Sequence, residues 1–377
     1  MSAPSTTLWP YSAHTRAKHH VLKAYLERRL VIMGQPGGFP KLVVVDGFAG
    51  PGRYAKGEKG SPLIMLDALL DHGHRARINA EVRYIFIEQH QARYEHLVRE
   101  LAQYGKLPTG ISATAYCDRF DVQMDRLMDQ LGPDPPPIFA FIDPFGLSDN
   151  SIEVTSRVLG YRGCEVLSYL PMYHIARLIS QKVFESHLDN LFGDRGWVEA
   201  RAIRGLQERI AFLRELFEAE LRKTCTWTTH FEILNEKASN SGYYLFFGTS
   251  HELGFVKMKE AMWEVDPING CCYRDRTNLD QNLLPLRLEP DVRELRADLR
   301  RRFTGRPCSI REVEIFTDRY TRYLSNSHLK TRTLAPMERE GLVAVITAPP
   351  GRRSGQFPEG CVLRFHGSAE AISAVAV

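Results

Sequence analysis

Residues 41–54 read KLVVVDGFAGPGRY: an apolar run ends in Asp46, and the chain then turns through Gly47, Phe48, Ala49, Gly50, Pro51 and Gly52. Glycines without a Cβ can take positive φ and let a ligand approach the backbone. An acid at a strand end followed by a glycine turn is how an open α/β sheet cradles a nucleotide. The glycines give D-x-F-x-G-x-G rather than the G-x-G-x-x-G of a dinucleotide fold, and a plain strand-to-helix turn is the bland alternative. A second run, 83–88, ends in Glu88, where a carboxylate can accept from both ribose hydroxyls; a solvated acid is the alternative. Asp118 follows a third run, 111–116, and could accept from an adenine amino group, with Asp121 as a competitor.

The sharpest reactive signal is 141–146, FIDPFG. An exocyclic amine is a poor nucleophile because its lone pair is delocalised into the ring. Asp143 and the Pro144 carbonyl could accept its hydrogens and draw that pair out of conjugation, with proline fixing the turn. Phe145 could stack on a base swung out of its helix. The alternative is an ordinary Asp-Pro turn. Lys18, His19 and His20 open an early helix and could approach a methionine carboxylate; a solvated basic face explains them equally well. Residues 171–174, PMYH, are a weaker candidate for the pocket wall. Together these residues read as a site for S-adenosylmethionine beside a planar amine. No cysteine sits at a strand end in a nucleophile's setting. The seven cysteines are odd in number and lack C-x-x-C spacing, which argues against zinc and for reduced thiols in a cytoplasmic protein.

Such a site needs strands to present it. Apolar residues recur at helical spacing over 15–30, and Gly/Pro residues at 34–40 end that helix. Strands are expected at 42–45, 83–88, 111–116, 138–143 and 165–170. Helices are expected between most of them, one capped at Ser61 with Pro62 behind it. This alternation predicts a parallel sheet with right-handed crossovers. Residues 171–227 read as a helical insertion. Runs at 231–234 and 243–247, joined by 235–242, read as an antiparallel pair closing the sheet edge.

The C-terminal segment forms a separate expected unit. It has one helix marked by Val292, Leu295, Leu299 and Phe303, and a second opened by the capping box Ser309–Glu312. A third, 328–340, is expected to be capped by Ser327 and stopped by Gly341, before strands at 342–346 and 361–365. That order is winged-helix-like. It would present Lys330 and Arg332 on the third helix and Arg352 and Arg353 on the wing as nucleic-acid contacts. The expected organisation is a flexible lead-in over 1–13, an α/β Rossmann-like methyltransferase sheet over 14–288 with its helical insertion, and a winged-helix-like domain over 289–377.

Charge supports the partition. Residues 290–377 carry 15 Lys/Arg against 10 Asp/Glu, whereas the rest carry 34 against 35, so the basic excess lies in the C-terminal segment and points to nucleic acid. No apolar run is long enough to cross a membrane, and the N-terminus lacks the apolar core of a signal peptide.

The motif set resembles the three-Cys-motif partner protein family: Lys18, His19 and Leu22 as KH-x-x-L, then DGFAGPGRY, Ser61-Pro62, 141–146, and GTSH at 248–251 with MKEAM at 258–262. That resemblance covers most of the chain. It implies a methyltransferase-like fold and a partner with three clustered cysteines, a candidate iron–sulfur protein. Over shorter stretches the Lys18-His19 helix and D-x-x-AG-x-GRY are similar to the adenine-N6 methyltransferase of large ribosomal RNA, where the Lys-His pair helps hold the cofactor. Its reactive D-P-P-Y is replaced here by Asp143-Pro144-Phe145-Gly146, which is similar to the motif of transfer-RNA guanine-N2 dimethyltransferases. The expected activity is methyl transfer to an exocyclic amine of a base in RNA or DNA. The alternative is a non-catalytic, cofactor-binding accessory protein that presents nucleic acid to the three-cysteine partner. The glycine spacing disfavours a nicotinamide dehydrogenase.

Overall fold

The computed structural model describes residues 6–146, 151–235, 241–274 and 289–366. They fall into two compact units, one of residues up to 261 together with 272–281, the other of 262–271 together with 282 onwards. The expected boundary at 288 and most of the connection at 235–242 lie outside the described residues.

The first unit is built on eight strands: β1 (Lys41–Asp46), β2 (Glu81–Ile87), β3 (Ile111–Tyr116), β4 (Ile138–Ile142), β5 (Glu165–Leu170), β6 (Trp227–Asn235), β7 (Ser241–Thr249) and β8 (Cys272–Arg274). Their order is β3-β2-β1-β4-β5-β7-β6-β8. β1 to β5 are mutually parallel, and β7 runs antiparallel between β5 and β6. The sheet is Rossmann-like, and its order reverses between β1 and β4, where open α/β sheets form a crevice at the carboxyl ends of their strands. The expected antiparallel pair forms, but it does not close the edge: β8 adds in parallel beyond β6.

Helix α1 (Ala13–Gly34) precedes β1, and α2 (Ser61–Leu70), α3 (Gln91–Ala102), α4 (Phe120–Leu131) and α5 (Ile152–Leu159) connect the parallel strands. α6 (Met172–Leu178), α7 (Glu185–Phe192) and α8 (Leu206–Arg222) make the helical insertion, and α9 (Glu252–Val265) follows β7. β1 is buried at every position after Lys41, as a strand covered on both faces must be. Val43 and Val45 pack with Phe120, Met124, Val158, Leu188 and Phe217 from α4, α5, α7 and α8. α1 packs on β1 and α2. The cap expected at Ser61 is supplied by Gly60 instead, which leaves Ser61 inside the first turn of α2.

The second unit contains α10 (Arg293–Phe303), β9 (Pro307–Ser309), α11 (Ile310–Tyr320), a π-helix (Ser325–Leu334), α12 (Ala335–Arg339), β10 (Val343–Thr347) and β11 (Val362–Phe365). The strands form an antiparallel sheet in the order β10-β11-β9. The capping box at Ser309 forms, with the Glu312 N–H donating to Ser309 Oγ and the Ser309 N–H donating to the Glu312 carboxylate. The third helix starts earlier than Ser327. The Ser325 N–H and hydroxyl donate to Asp318 at 2.7 and 2.6 Å, and the Leu324 N–H donates to His328 Nδ1 at 3.0 Å. These contacts fix the start as π-helix, a form that accommodates an extra residue per turn.

Candidate active site at the carboxyl edge of the sheet

β1 delivers Asp46 to the point where the sheet order reverses. Asp46 pairs in register with Phe141 of β4, so Asp143 stands two residues further along the adjacent strand. The turn after Asp46 is tied down by its neighbours: the Gly47 N–H donates to Phe141 O, and the Ala49 N–H to Ile87 O, both at 2.9 Å. Gly50 and Gly52 have φ of +62° and +83°, which accounts for glycine at both.

A cavity of about 290 Å³ opens over this turn, lined by Gly50 and Gly52 on one side and by Asp143, Pro144 and Phe145 on another. Phe48 lines it too. The two motifs that the sequence singled out 90 residues apart thus face one space.

The carboxylates differ in what holds them. Asp46 is fully buried; its Oδ1 accepts from the Phe48 N–H at 3.2 Å, and its Oδ2 has no hydrogen-bond partner. Burial pushes its carboxyl up to about 7, and the adjacent Ser61 side chain and the Phe48 N–H offset only part of that rise. Glu88 is buried and turned inward: Oε2 accepts from the Gly50 N–H at 3.0 Å and Oε1 from the His90 N–H at 2.8 Å. Its pKa is raised by burial and restrained by those two N–H groups and by Arg93. Glu88 therefore braces the glycine turn from behind and does not line the cavity. Asp118 is engaged elsewhere, accepting from the Arg119 N–H at 2.8 Å and pairing with Arg126.

Lys18, expected at the methionine carboxylate of the cofactor, and Asp143, expected at the acceptor amine, form an ion pair with each other. Lys18 is buried and its Nζ also lies 4.6 Å from the centre of the Tyr169 ring, a cation–π contact. His19 faces away, stacked on Tyr11, whose hydroxyl lies 3.3 Å from Nδ1. Burial, then Lys18 and His20, hold its pKa well below 6.5, so it is a neutral imidazole at pH 7 and no counter-ion for a carboxylate.

Several lining residues carried no signal in the sequence. Trp9, from the expected loose lead-in, meets Phe145 edge-on at 5.0 Å and Tyr54 at 5.9 Å, and its carbonyl accepts from the Ala55 N–H at 3.0 Å. The Arg93 guanidinium lies 5.1 Å from the Trp9 ring and 5.2 Å from that of Phe145. Across the cavity Tyr169, Tyr243 and His14 form a near-parallel stack, with centroids 5.3 and 5.1 Å apart. The Tyr169 hydroxyl is buried with no partner. Aromatic positions at the end of β5 and the start of β7 were the only available hint.

In the second unit, three of the four expected nucleic-acid cations are paired: Lys330 with Glu314 at 2.8 Å, Arg332 with Glu289, and Arg352 with Glu338. Arg353 is exposed. Among the described residues, no group of three His, Cys, Asp or Glu is placed to hold a metal ion, Cys117, Cys164, Cys225, Cys308 and Cys361 are free thiols, and no helix is long and apolar enough to cross a membrane.

No family model and no curated protein matches the chain. Solved structures overlap it at low identity. A protein of Legionella pneumophila is 12% identical over 63% of this chain and 85% of that one, with a TM-score of 0.37. Trm1 from Pyrococcus horikoshii, in complex with S-adenosyl-L-methionine, is 12% identical over 70% of this chain and 61% of that one, at 0.35. An O-methyltransferase from Bacillus cereus in complex with SAH is 12% identical over 60% and 80%, at 0.34. The strand order and register, not these overlaps, define the fold described above.

Proposed function

We propose that the chain is an S-adenosylmethionine-dependent methyltransferase acting on an exocyclic amine of a nucleic-acid base. One observation carries the reading: the bare glycine turn and Asp143-Pro144-Phe145 open onto one cavity at the reversal point of the sheet. The residues present fit the cofactor. Gly50 and Gly52 leave the backbone open to close approach, and Tyr169 of the cavity wall has a buried hydroxyl without a partner among the described residues, the kind of group a ligand satisfies. When bound, S-adenosylmethionine supplies an electrophilic methyl group on a sulfonium.

The chain's own residues prepare the acceptor. Lys18 engages Oδ2 of Asp143 and leaves Oδ1 to accept an amine hydrogen. The Pro144 carbonyl is the second acceptor, and Phe145 with the Tyr169–Tyr243 stack offers faces for a planar base. Orientation is the main contribution such a site makes to an in-line transfer. The C-terminal unit, read as winged-helix-like, would hold the nucleic-acid backbone through Arg353 and through Lys330, Arg332 and Arg352 once their acidic partners exchange for phosphate.

Asp143→Ala tests this. S-adenosylmethionine binding, followed by calorimetry, is expected to stay within about threefold, while transfer of labelled methyl to total RNA or DNA falls by about a hundredfold or more. Undiminished transfer would remove Asp143 from the mechanism.

The Lys18–Asp143 pair also favours a second reading, because it neutralises the acid that the chemistry needs. On that reading the chain binds the cofactor without using it and presents nucleic acid to a three-cysteine partner. Wild-type protein that binds S-adenosylmethionine yet never labels a base, alone, would select it.

A further inference from the structure

The same sheet carries a second cavity at its opposite, amino edge, and nothing in the proposed reaction uses it. It is about 300 Å³, at the lower end of the range for small-molecule pockets. Its position follows from the register. Glu165 is the first residue of β5, Gly163 and Arg162 just precede it, and Phe39 precedes β1. The far end of antiparallel β7 arrives here as well, since Glu165 pairs with Thr249, and the first turn of α9 closes the cavity with Leu253, Gly254 and Lys257.

Its floor is a buried charge network. Glu165 Oε2 accepts from the Tyr25 hydroxyl and from Arg29 Nε, both at 2.7 Å, and Oε1 accepts from the Thr249 hydroxyl at 3.0 Å. Both carboxylate oxygens are therefore engaged. The Arg29 guanidinium is engaged only in part. It is 3% exposed; Nε serves Glu165, Nη2 donates to Gly163 O at 3.2 Å, and Nη1 has no hydrogen-bond partner. A buried guanidinium N–H without an acceptor is costly, and a ligand acceptor would relieve it.

The polar groups around the mouth share one sign. Arg162 lies over the Phe39 ring at 5.6 Å, with no acid paired to it among the described residues, and Lys257 shares Glu260 with Arg28. The remaining wall is apolar, from Tyr25, Ile32, Met33 and Leu253. Gly254 has no room for a side chain, because a Cβ there would come within 2.2 Å of Glu165 Oε1. That close approach keeps the floor open at the first turn of α9, an end of the helix that favours negative charge.

We propose that this cavity is a binding site for a small organic anion: a carboxylate on an apolar body about the size of one ring. A carboxylate fits Arg162 at the mouth and the unpartnered Arg29 Nη1, the ring-sized body fits the apolar wall, and the single acid in the floor already accepts three hydrogen bonds. The proposal is independent of the methyl-transfer reading.

Phenylpropionate is the probe, titrated into the full chain by calorimetry and by chemical-shift perturbation. Saturable binding is expected, with phenylpropanol and inorganic phosphate each weaker by about tenfold or more. Arg162→Glu should weaken phenylpropionate by a similar factor. Ile32→Trp should abolish binding by filling the cavity while the thermal unfolding midpoint and S-adenosylmethionine binding stay unchanged. If Ile32→Trp fails to fold, Lys257→Glu, at the half-buried rim, takes its place, with an expected loss of about threefold to tenfold. No saturable binding, equal binding of the alcohol or of phosphate, or unchanged affinity in the variants would each overturn the proposal.

Discussion

The two edges of the central sheet bury acids in opposite ways. At the amino edge, Glu165 accepts three hydrogen bonds and faces the Arg29 guanidinium, so its charge is matched on all sides. At the carboxyl edge, Asp46 is buried just as deeply with one oxygen orphaned, and Asp143 depends on a single lysine. A matched buried acid is part of the scaffold. An unmatched one costs stability and persists where something else is meant to complete it. The unsatisfied groups differ as well: at the amino edge a donor, Arg29 Nη1, and at the carboxyl edge Asp46 Oδ2 and the Tyr169 hydroxyl.

The sharpest way to break this contrast is to remove Glu165. Glu165→Ala strands the Arg29 guanidinium in a site that is 3% exposed and leaves two further donors, the Thr249 and Tyr25 hydroxyls, without their acceptor. Breaking a buried pair from one side costs about 3–5 kcal/mol. Urea unfolding should show that loss, and a change below about 1 kcal/mol would mean that water reaches the network and that Glu165 is not scaffold.

Asp46 should behave in the opposite sense. Its folded-state pKa, about 7, lies above the ordinary 3.8, so the fold holds the proton more tightly than the unfolded chain does. The stabilisation that follows is complete below the unfolded value and is lost as pH rises through about 7. Between about pH 5 and about pH 8 this group alone lowers the unfolding free energy by about 2–3 kcal/mol. Asp46→Asn should abolish that slope and gain stability over wild type on the alkaline side. Parallel pH profiles for the two proteins would show that Asp46 is ionised in the fold and already satisfied.

How far these sites were legible from residues alone follows the same division. Apolar runs located β1, β2, β4 and β5 well, because a buried parallel strand is a continuous apolar run; β3, an edge strand with no buried position, was also expected at its observed limits. Short elements escaped: α5 has eight residues, and β8 and β9 have three each, too few for a period to register. Ser61 and Ser327 read as caps because serine is a good one, but Gly60 and the Asp318–Ser325 contact took those roles. Lys18 and Asp143 were both singled out, yet their pairing spans 125 positions and only the sheet order brings them together. Arg352 had the opposite fate: a surface cation by composition, it is half-buried against Glu338, an acid that the linear pattern could not place opposite it. Local pattern names the groups; the partners that set their charge are long-range.

Two glycines sharpen the comparison at the smallest scale, since each borders one cavity for a different reason. Gly254 has ordinary backbone angles but no space, with a Cβ falling 2.2 Å from Glu165 Oε1 and 3.2 Å from Thr249 Oγ1. Those oxygens belong to a filled network that cannot give way cheaply, so Gly254→Ala should cost about 1–3 kcal/mol by overpacking and should shift the Tyr25 ring in a spectrum. Gly50 has space but an unusual angle: a Cβ would meet Trp9 at 3.4 Å, ordinary contact, while φ of +62° is left-handed. Gly50→Ala should therefore cost about 1–2 kcal/mol through the backbone alone. The two losses divide on Gly50→Asn and Gly254→Ser, compared with their alanine counterparts in urea. Asparagine tolerates the left-handed region, so it should recover part of the loss at 50, whereas serine is larger than alanine and should recover none at 254. Recovery at 254 would mean that the amino-edge network has slack, and that its acid is less completely matched than its three hydrogen bonds imply.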